Sequence, residues 1–372
     1  MDVLKPEYRG VYQHLQDRFT QGDLATGPSD TYGRHQVGGS WTLDRLRFHR
    51  VILEEAKDKC AGLPRGAKAV LLTSGPPGAG KGQAQTLLRA RQGDGTELGQ
   101  ALAQAHGVDP AEYVVLDPDN FKEAILRHGG APTLPAEAYV LPGGLRLAPA
   151  ELAPLVHRES SFLRDAFESW ARSEGFNLLY DGVMADFDWT ASMLGNLARE
   201  GYTDRVVMSV EVPMRTSLEQ NALRWELGRT RFDEGTDSYG GRMAPEPLIR
   251  ALYPPDQPDS AFSVARTNAE RLHSEGLLTG LIEIDRGAWA GTPQPGPHAP
   301  AMQHRSVEGD MSISSTSAPA PRPSASAARL RSTGVRKPPA GGSPRKRQDN
   351  TEQPSHLRRK GIDPGRRRGP TA

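Results

Sequence analysis

The stretch that decides the fold is KAVLLTSGPPGAGKGQAQTLL, Lys68 to Leu88. Its first part, AVLLTS, is a largely apolar run typical of a strand buried on both faces of a parallel sheet. A glycine-rich segment follows, and KGQAQTLLRARQ, from Lys81 to Gln92, then predicts a helix. Strand, glycine-rich loop and helix in this order form the context of a phosphate-binding loop.

The loop has the residue types that phosphate binding needs. Gly75, Gly78 and Gly80 let the backbone turn so that successive N–H groups point inward, and the helix N-terminus adds partial positive charge. Lys81 is expected to reach the β- and γ-phosphates. The alternative is a glycine-rich turn without a ligand. The expected nucleotide is ATP with Mg²⁺, and the candidate binding residues are Gly75, Pro76, Pro77, Gly78, Ala79, Gly80, Lys81, Gly82 and Gln83.

Gly82 stands where a Ser or Thr hydroxyl normally coordinates Mg²⁺. Neither Gln83 nor Thr86, about one turn further along, is expected to replace that ligand. The loop GPPGAGKG is similar to that of adenylate kinases, in which glycine follows the lysine and the metal is held largely through water. The sequence therefore assigns no metal ligand.

Four further short apolar runs alternate with helical patterns. This alternation predicts an α/β fold of the P-loop NTPase type, with a parallel sheet flanked by helices. The predicted strands after the first are EYVVLD (112–117), FNLLYDG (176–182), RVVMSVEVP (205–213) and LTGLIEID (278–285).

Composition divides the 372 residues into three regions. Residues 1–40 are expected to form an N-terminal extension that is partly loop, and residues 41–288 are expected to form the domain that contains the phosphate-binding loop. Residues 289–372 are rich in Pro, Ser and Arg and are predicted to be disordered, because they have too little bulky apolar surface to offset the entropy of ordering. From Gly291 onward there are 15 Lys and Arg against 5 Asp and Glu, a net charge of +10, whereas the preceding residues have 31 against 40, a net charge of −9.

Cys60 is the single cysteine, which excludes a disulfide within the chain and fits a reducing compartment. The sequence shows no secretory signal and no apolar run of the roughly 20 residues that cross a bilayer. A cytoplasmic protein is expected, with no membrane partner.

Carboxylates follow two predicted strands. Asp117 and Asp119 lie in VVLDPDNF, and Asp181 lies in YDG, which ends a predicted strand. Ligands of open α/β sheets bind outside the carboxyl ends of the strands, where a carboxylate can orient an acceptor hydroxyl or a metal-bound water. The alternative is that these residues form solvated turns.

Four arginines follow the fourth predicted strand: Arg224, Arg229, Arg231 and Arg242. The polar, glycine-containing segment 228–241 is expected to form a mobile lid, and arginines stabilise the charge of a transferring phosphoryl group. The alternative is a solvated helix face whose arginines pair with neighbouring carboxylates.

Taken in order, these segments resemble the zeta toxin family of P-loop kinases, which phosphorylate UDP-N-acetylglucosamine at the sugar 3′-hydroxyl. The resemblance covers about residues 41–285. It is carried by GPPGAGKG, VVLDPDNFK, VHRESSFLRDAFESWARSEGFNLLYDG, VPMRTSLEQNALRWE and GGRMAPEPLIRALYP.

The resemblance implies roles for individual residues. Lys81 is similar to the phosphate-binding lysine, and Asp119 matches the carboxylate that takes the proton from the sugar hydroxyl. Arg224 and Arg242 match two arginines that contact the nucleotide phosphates. Asp165 matches an acidic sugar-binding residue, Asp181 stands where the family often has Glu, and Glu159 of the ESS motif completes the expected substrate-binding set. The family also implies a small helical antitoxin as a partner.

Three departures leave the acceptor open. Gly82 replaces a hydroxyl residue, Val183 replaces a Thr or similar residue after the strand-end DG, and the His-Asp pair that often follows the second arginine is absent from APEPLIRALYP. One alternative is a P-loop kinase that acts on a nucleoside, nucleotide or antibiotic hydroxyl. Another is a nucleotide-gated binding module whose basic tail binds nucleic acid through phosphate contacts.

Overall fold

The computed structural model describes residues 3–92, 109–255, 262–285, 301–306 and 309–313, all within one compact unit, Met1–Ala320. Its helices are α1 (Pro6–Gln21), α2 (Thr31–His35), α3 (Leu43–Cys60), α4 (Lys81–Gln92), α5 (Pro118–Arg127), α6 (His157–Ser173), α7 (Phe187–Arg199), α8 (Met214–Asp233), α9 (Glu246–Arg250) and α10 (Val264–Ser274). Its strands are β1 (Gln36–Val37), β2 (Ser40–Trp41), β3 (Ala69–Ser74), β4 (Val114–Leu116), β5 (Leu178–Asp181), β6 (Asp204–Glu211), β7 (Gly280–Asp285), β8 (Ala301–Ser306) and β9 (Gly309–Ile313).

β3 is the central strand of the parallel part of the sheet, as its apolar run predicts. All six of its residues are buried, and it pairs in parallel with β5 on one side and with β6 on the other. The sheet order is β4-β5-β3-β6-β7-β8-β9. The first five strands in this order, β4, β5, β3, β6 and β7, run parallel to one another. The predicted α/β class, the five predicted strands and the flanking helices are therefore confirmed.

Two strands lie in the segment for which the sequence predicts disorder. β8 adds antiparallel to the edge of β7, and β9 adds to β8. Strand addition of this kind takes its hydrogen bonds from the backbone of an open edge, so it does not require the apolar pattern that marks a core strand. The remainder of the predicted tail, residues 289–300, 307–308 and 314–372, lies outside the described residues.

The N-terminal segment is more ordered than its composition suggests. α1 buries Tyr8, Tyr12 and Leu15 in the same hydrophobic core as Trp225 of α8. The rings of Tyr8 and Tyr12 meet Trp225 edge to face, with centroids 5.9 and 5.3 Å away. The predicted extension is therefore packed against α8.

In the part of the chain that the structure describes, none of the helices combines the length and apolar character needed to cross a bilayer.

The predicted lid between Gly228 and Gly241 is wrong. α8 continues through Asp233, and the following turn packs back onto it. A Cβ at Gly228 would lie 2.5 Å from the Gly241 Cα, and one at Gly241 would lie 2.0 Å from the Trp225 carbonyl oxygen. These glycines permit close backbone packing in this segment.

Arg229, predicted as one of the lid arginines, is fully buried. Its guanidinium pairs with Glu151 at 3.1 Å and with Asp233 at 2.6 Å. Glu151 is also buried, and it accepts a further hydrogen bond from the Trp225 indole at 3.0 Å. The arginine therefore joins α8 to the segment before α6 and does not face a ligand.

Replacing Arg229 with Ala should destabilise the protein by about 3–5 kcal/mol, because the carboxylate of Glu151 would stay buried without its cationic partner. Arg231→Ala is the matched control, since Arg231 is exposed on the same helix and its loss should cost less than about 0.5 kcal/mol. Denaturant unfolding of both variants measures these free energies. Equal stability of the two variants would contradict the structural role of Arg229.

Candidate active site

The loop between β3 and α4 is shaped by glycines in conformations that other residues rarely adopt. Gly75 has φ of 130° and Gly78 has φ of 79°. A Cβ at Gly75 would lie 2.1 Å from the Val210 carbonyl oxygen of β6, and one at Gly78 would lie 2.9 Å from the Ser217 carbonyl oxygen. The loop therefore lies directly against β6 and α8, and its path excludes side chains at both positions.

Lys81, the first residue of α4, lies over this loop. Its Nζ donates hydrogen bonds to the carbonyl oxygens of Gly75 at 3.1 Å and Pro76 at 3.4 Å. Burial lowers the pKa of Lys81, and the negative charge of Asp181 opposes that shift. Bound phosphates would supply stronger, charged acceptors for the same ammonium group.

A cleft of about 1010 Å³ opens beside the loop. The sheet order explains its position, because β3, β5 and β4 are neighbours and their carboxyl ends meet at one edge. The residues predicted from sequence that line it are Pro77, Gly78, Gly80, Lys81, Gly82, Gln83, Asp117, Asp119, Asp181, Val183, Arg224 and Arg242. The structure thus brings most of the predicted phosphate, base and arginine residues together.

Asp117 and Asp119 occupy different environments in the cleft although they are two residues apart. Asp117 begins α5 as its N-cap, and its Oδ1 accepts a hydrogen bond of 2.8 Å from the Asp119 N–H. Burial, with the nearby charge of Asp119, raises the pKa of Asp117 to about 6. The sequence shows both residues, but it does not show this difference.

Asp119 is surrounded by cations. Its Oδ1 accepts from Lys122 Nζ at 2.7 Å, and its Oδ2 lies 3.4 Å from an Arg242 nitrogen. Burial acts to raise the pKa of Asp119, but Lys122 and Arg242 outweigh it and the pKa falls below the ordinary value. Asp119 is therefore ionised at neutral pH and is paired with the arginine predicted to contact phosphate.

Arg224 and Arg242 lie close enough to affect each other. The Arg224 side chain lines the cleft. Desolvation by the surrounding protein and the charge of Arg242 lower the pKa of Arg224. Two guanidinium groups that repel one another are expected to favour a polyanion between them. This arrangement supports phosphate recognition by both residues.

Asp181, at the end of β5, lines the cleft. Thr73 is its partner in the β3–β5 register and donates a hydrogen bond of 2.7 Å to its Oδ1. Thr86 instead donates to the Gly82 carbonyl oxygen at 3.4 Å, as expected for a threonine inside a helix. The described residues contain no group of three or more acidic, His or Cys side chains that could hold a metal ion by themselves.

Two predicted substrate-binding residues lie outside the residues that line the cleft. Glu159 is fully buried and accepts hydrogen bonds from Arg45 at 2.5 and 2.7 Å, with His49 at 2.5 Å. Burial favours its neutral form, but the hydrogen bonds from His49 and Arg45 lower its pKa to about 2. These bonds use the carboxylate to join α3 to α6, and the structure does not bring Glu159 to the cleft, so its contact with substrate stays a prediction.

Asp165 is the other exception. Its side chain is 63% exposed and pairs with the adjacent Arg164 at 2.9 Å. It does not line the cleft. The structure therefore does not bring Asp165 together with Asp119 and Lys81, and its predicted contact with substrate is not reproduced here.

The cleft also contains residues that the motifs do not identify. Lys122 follows Asp119 by one helical turn, and His157 begins α6. Burial, with the charge of Lys122, lowers the pKa of His157. Thr26 comes from the N-terminal segment and donates to the Pro154 carbonyl oxygen at 3.1 Å. The spacing from Asp119 could have indicated Lys122, whereas no sequence signal indicated Thr26.

The fold and the loop define a P-loop protein of the nucleotide-binding α/β class. A model of the zeta toxin family matches residues 54–286, so the chain belongs to this family. The resemblance of the sequence motifs is thereby confirmed. A search of curated proteins gave no significant match.

Solved structures show distant similarity to this chain. A chain of the AvrRxo1-ORF1:AvrRxo1-ORF2 complex with sulphate ions is 18% identical, with a TM-score of 0.44, over 77% of this chain and 75% of that one. A chain of the same complex with ATP is 17% identical, with a TM-score of 0.43, over 74% of this chain and 71% of that one. A chain of the PezAT chromosomal toxin–antitoxin system of Streptococcus pneumoniae is 13% identical, with a TM-score of 0.41, over 66% of this chain and 78% of that one.

Replacing Asp117 with Asn should stabilise the protein at neutral pH but not in acid. The folded-state pKa of about 6 lies above the ordinary 3.8. Stability from the neutral carboxyl is therefore present below about pH 4 and is lost as the pH rises through about 6. Asn keeps an oxygen for the helix cap and cannot ionise.

The measurement is the melting temperature of Asp117→Asn minus that of the wild type, at pH 4 and at pH 7.5. It should be near zero in acid and positive at pH 7.5. The control is Asp188→Asn, an exposed residue in the first turn of α7. A difference for Asp117→Asn that does not depend on pH would contradict the assigned pKa.

Proposed function

We propose that the protein is an ATP-dependent phosphotransferase that moves the γ-phosphoryl group of ATP to a hydroxyl of a small molecule. The observation that carries this proposal is the meeting of Lys81, Asp119, Arg224 and Arg242 at one cleft beside the glycine-rich loop. A phosphate-binding site alone would not require a paired carboxylate and two arginines. Membership of the zeta toxin family supports the same reaction class.

In the proposed reaction the acceptor oxygen attacks the γ-phosphorus, and the bond to the β–γ bridging oxygen breaks. ADP leaves, and the hydroxyl proton passes to the carboxylate of Asp119. Lys81, Arg224 and Arg242 would stabilise the negative charge on the phosphoryl oxygens. Because Lys122 and Arg242 keep Asp119 ionised, Asp119 is ready to accept a hydrogen bond from the acceptor before transfer begins.

Mg²⁺, when bound, would neutralise the negative charge that develops on the phosphates. The residues present fit a weakly anchored ion, since Gly82 has no hydroxyl and Thr86 bonds to the helix backbone. Asp181, and Asp117 when ionised, are the carboxylates of the cleft that would act on the ion or on its bound waters. Phosphate oxygens and water would supply the other ligands.

The proposed acceptor is the 3′-hydroxyl of UDP-N-acetylglucosamine, which the family resemblance implies. Asp181 and Val183 line the cleft where substrate contacts are expected. The burial of Glu159 and the position of Asp165 favour a second candidate, a different acceptor such as a nucleoside, nucleotide or antibiotic. The two candidates share the same chemistry at the phosphoryl group and differ in the molecule that carries the hydroxyl.

Two kinds of macromolecular partner are also proposed. The family supports a protein antitoxin, tested by co-purification of the chain with the product of an adjacent gene and by inhibition of its activity. The basic segments PRKR, HLRRK and GRRRG suggest nucleic-acid contacts. They lie outside the described residues, so a salt-dependent binding assay with and without residues 314–372, which keeps β8 and β9, is the test.

Mass spectrometry of reactions with ATP, Mg²⁺ and a panel of hydroxyl compounds tests the function and the acceptor together. Gain of one phosphate by UDP-N-acetylglucosamine alone would support the first candidate, and gain by another compound alone would support the second. ATP turnover without a phosphorylated acceptor anywhere in a broad panel would contradict the proposed transfer.

Lys81→Ala and Asp119→Asn should each reduce turnover by about 100-fold or more, because the first removes a phosphate ligand and the second removes the proton acceptor. Asp188→Asn is the control for an isosteric change at an exposed aspartate. Initial rates at saturating ATP and acceptor measure the effect. Wild-type turnover in Asp119→Asn would exclude Asp119 as the proton acceptor.

A further inference from the structure

Arg242 lies in a segment that needs support from outside itself. Residues 240–245, between α8 and α9, form neither helix nor strand. The guanidinium points toward Asp119 and lies near Arg224, which carries the same charge. Because no helix or strand holds these residues, the backbone that carries Arg242 depends on hydrogen bonds from other elements for its position.

Two amide side chains fix that backbone. Asn221 of α8 accepts from the Ala244 N–H at 2.9 Å and donates to the Ala244 carbonyl oxygen at 3.1 Å. Gln16 of α1 donates to the same carbonyl oxygen at 3.2 Å and accepts from the Glu246 N–H at 2.9 Å. Gln16 is only 5% exposed, so these bonds are shielded from water.

The position of Gln16 is set by the packing of α1. Tyr12, one helical turn earlier, is fully buried against Trp225, the residue that follows Arg224. The Tyr12 hydroxyl also accepts a hydrogen bond of 3.4 Å from the Asn221 amide. α1, α8 and the segment that carries Arg242 therefore share one network, and α1 lies N-terminal to the residues that match the family, 54–286.

We propose that Gln16 is a positioning residue for Arg242, so that the N-terminal helix sets the geometry of phosphoryl transfer. The proposal rests on the function proposed above. Gln16 does not line the catalytic cleft and acts through the backbone of residues 244–246. Its loss leaves Arg242 present but removes two of the four amide hydrogen bonds that fix the backbone of residues 244–246.

The kinetic test uses the full chain with the wild type, Gln16→Ala and Gln13→Ala. Gln16→Ala should lower kcat by about tenfold, the loss expected for about 1.4 kcal/mol of transition-state stabilisation, with little change in the KM for ATP. Gln13→Ala is the matched control, because Gln13 lies on the same helix and its amide bonds only to Asp17 at an exposed position.

A double-mutant cycle separates positioning from general destabilisation. In an Arg242→Ala background, Gln16→Ala should have no further effect on kcat. Wild-type kcat in Gln16→Ala, or the same fold-loss in both backgrounds, would overturn the proposal.

Hydrogen exchange of the segment 241–250 gives a readout that does not depend on the reaction. Exchange should be faster in Gln16→Ala than in the wild type and unchanged in Gln13→Ala. If the wild type transfers phosphate to no acceptor, the proposed function fails, and this measurement still decides whether Gln16 fixes the segment. Unchanged exchange in Gln16→Ala would overturn the proposal.

Discussion

The close approach of Gly75 to the Val210 carbonyl oxygen is the constraint on which the rest of the site depends. It fixes the glycine-rich loop on the central strands, and it tolerates no side chain at this position. From there α4 begins at Lys81, and the ends of β5 and β4 supply Asp181 and Asp117 at the same edge. The packing of one loop against β6 thus places the expected phosphate site beside the carboxylates that follow β4 and β5.

Charge balance organises the cleft beyond that loop. Lys81, Lys122, Arg224 and Arg242 face Asp117, Asp119 and Asp181. Asp119 is kept ionised by its cationic neighbours, whereas Asp117 is made harder to ionise by burial and by Asp119. The two aspartates of one short motif therefore differ in how readily they ionise, and Asp117 also caps α5.

Much of the fold and part of the site could be predicted from the sequence. The apolar runs predict the five parallel strands because a buried strand leaves a local pattern in the sequence. The loop glycines are a local pattern of a different kind, and they predict the phosphate site. Glu159 and Arg229 could not be judged in this way, because their burial depends on Arg45, His49 and Glu151 from distant segments. The sequence did not predict that α1 belongs to the core for a related reason, since its burial depends on packing against Trp225.

The central claim is that ATP gives its γ-phosphoryl group to an organic hydroxyl at this cleft. ³¹P NMR of the wild-type protein with ATP, Mg²⁺ and UDP-N-acetylglucosamine tests it most directly. The account predicts that the ATP signals are replaced by those of ADP together with a new phosphomonoester signal, and that this signal does not form with Lys81→Ala. ADP accompanied only by inorganic phosphate, for this and every other acceptor offered, would contradict it.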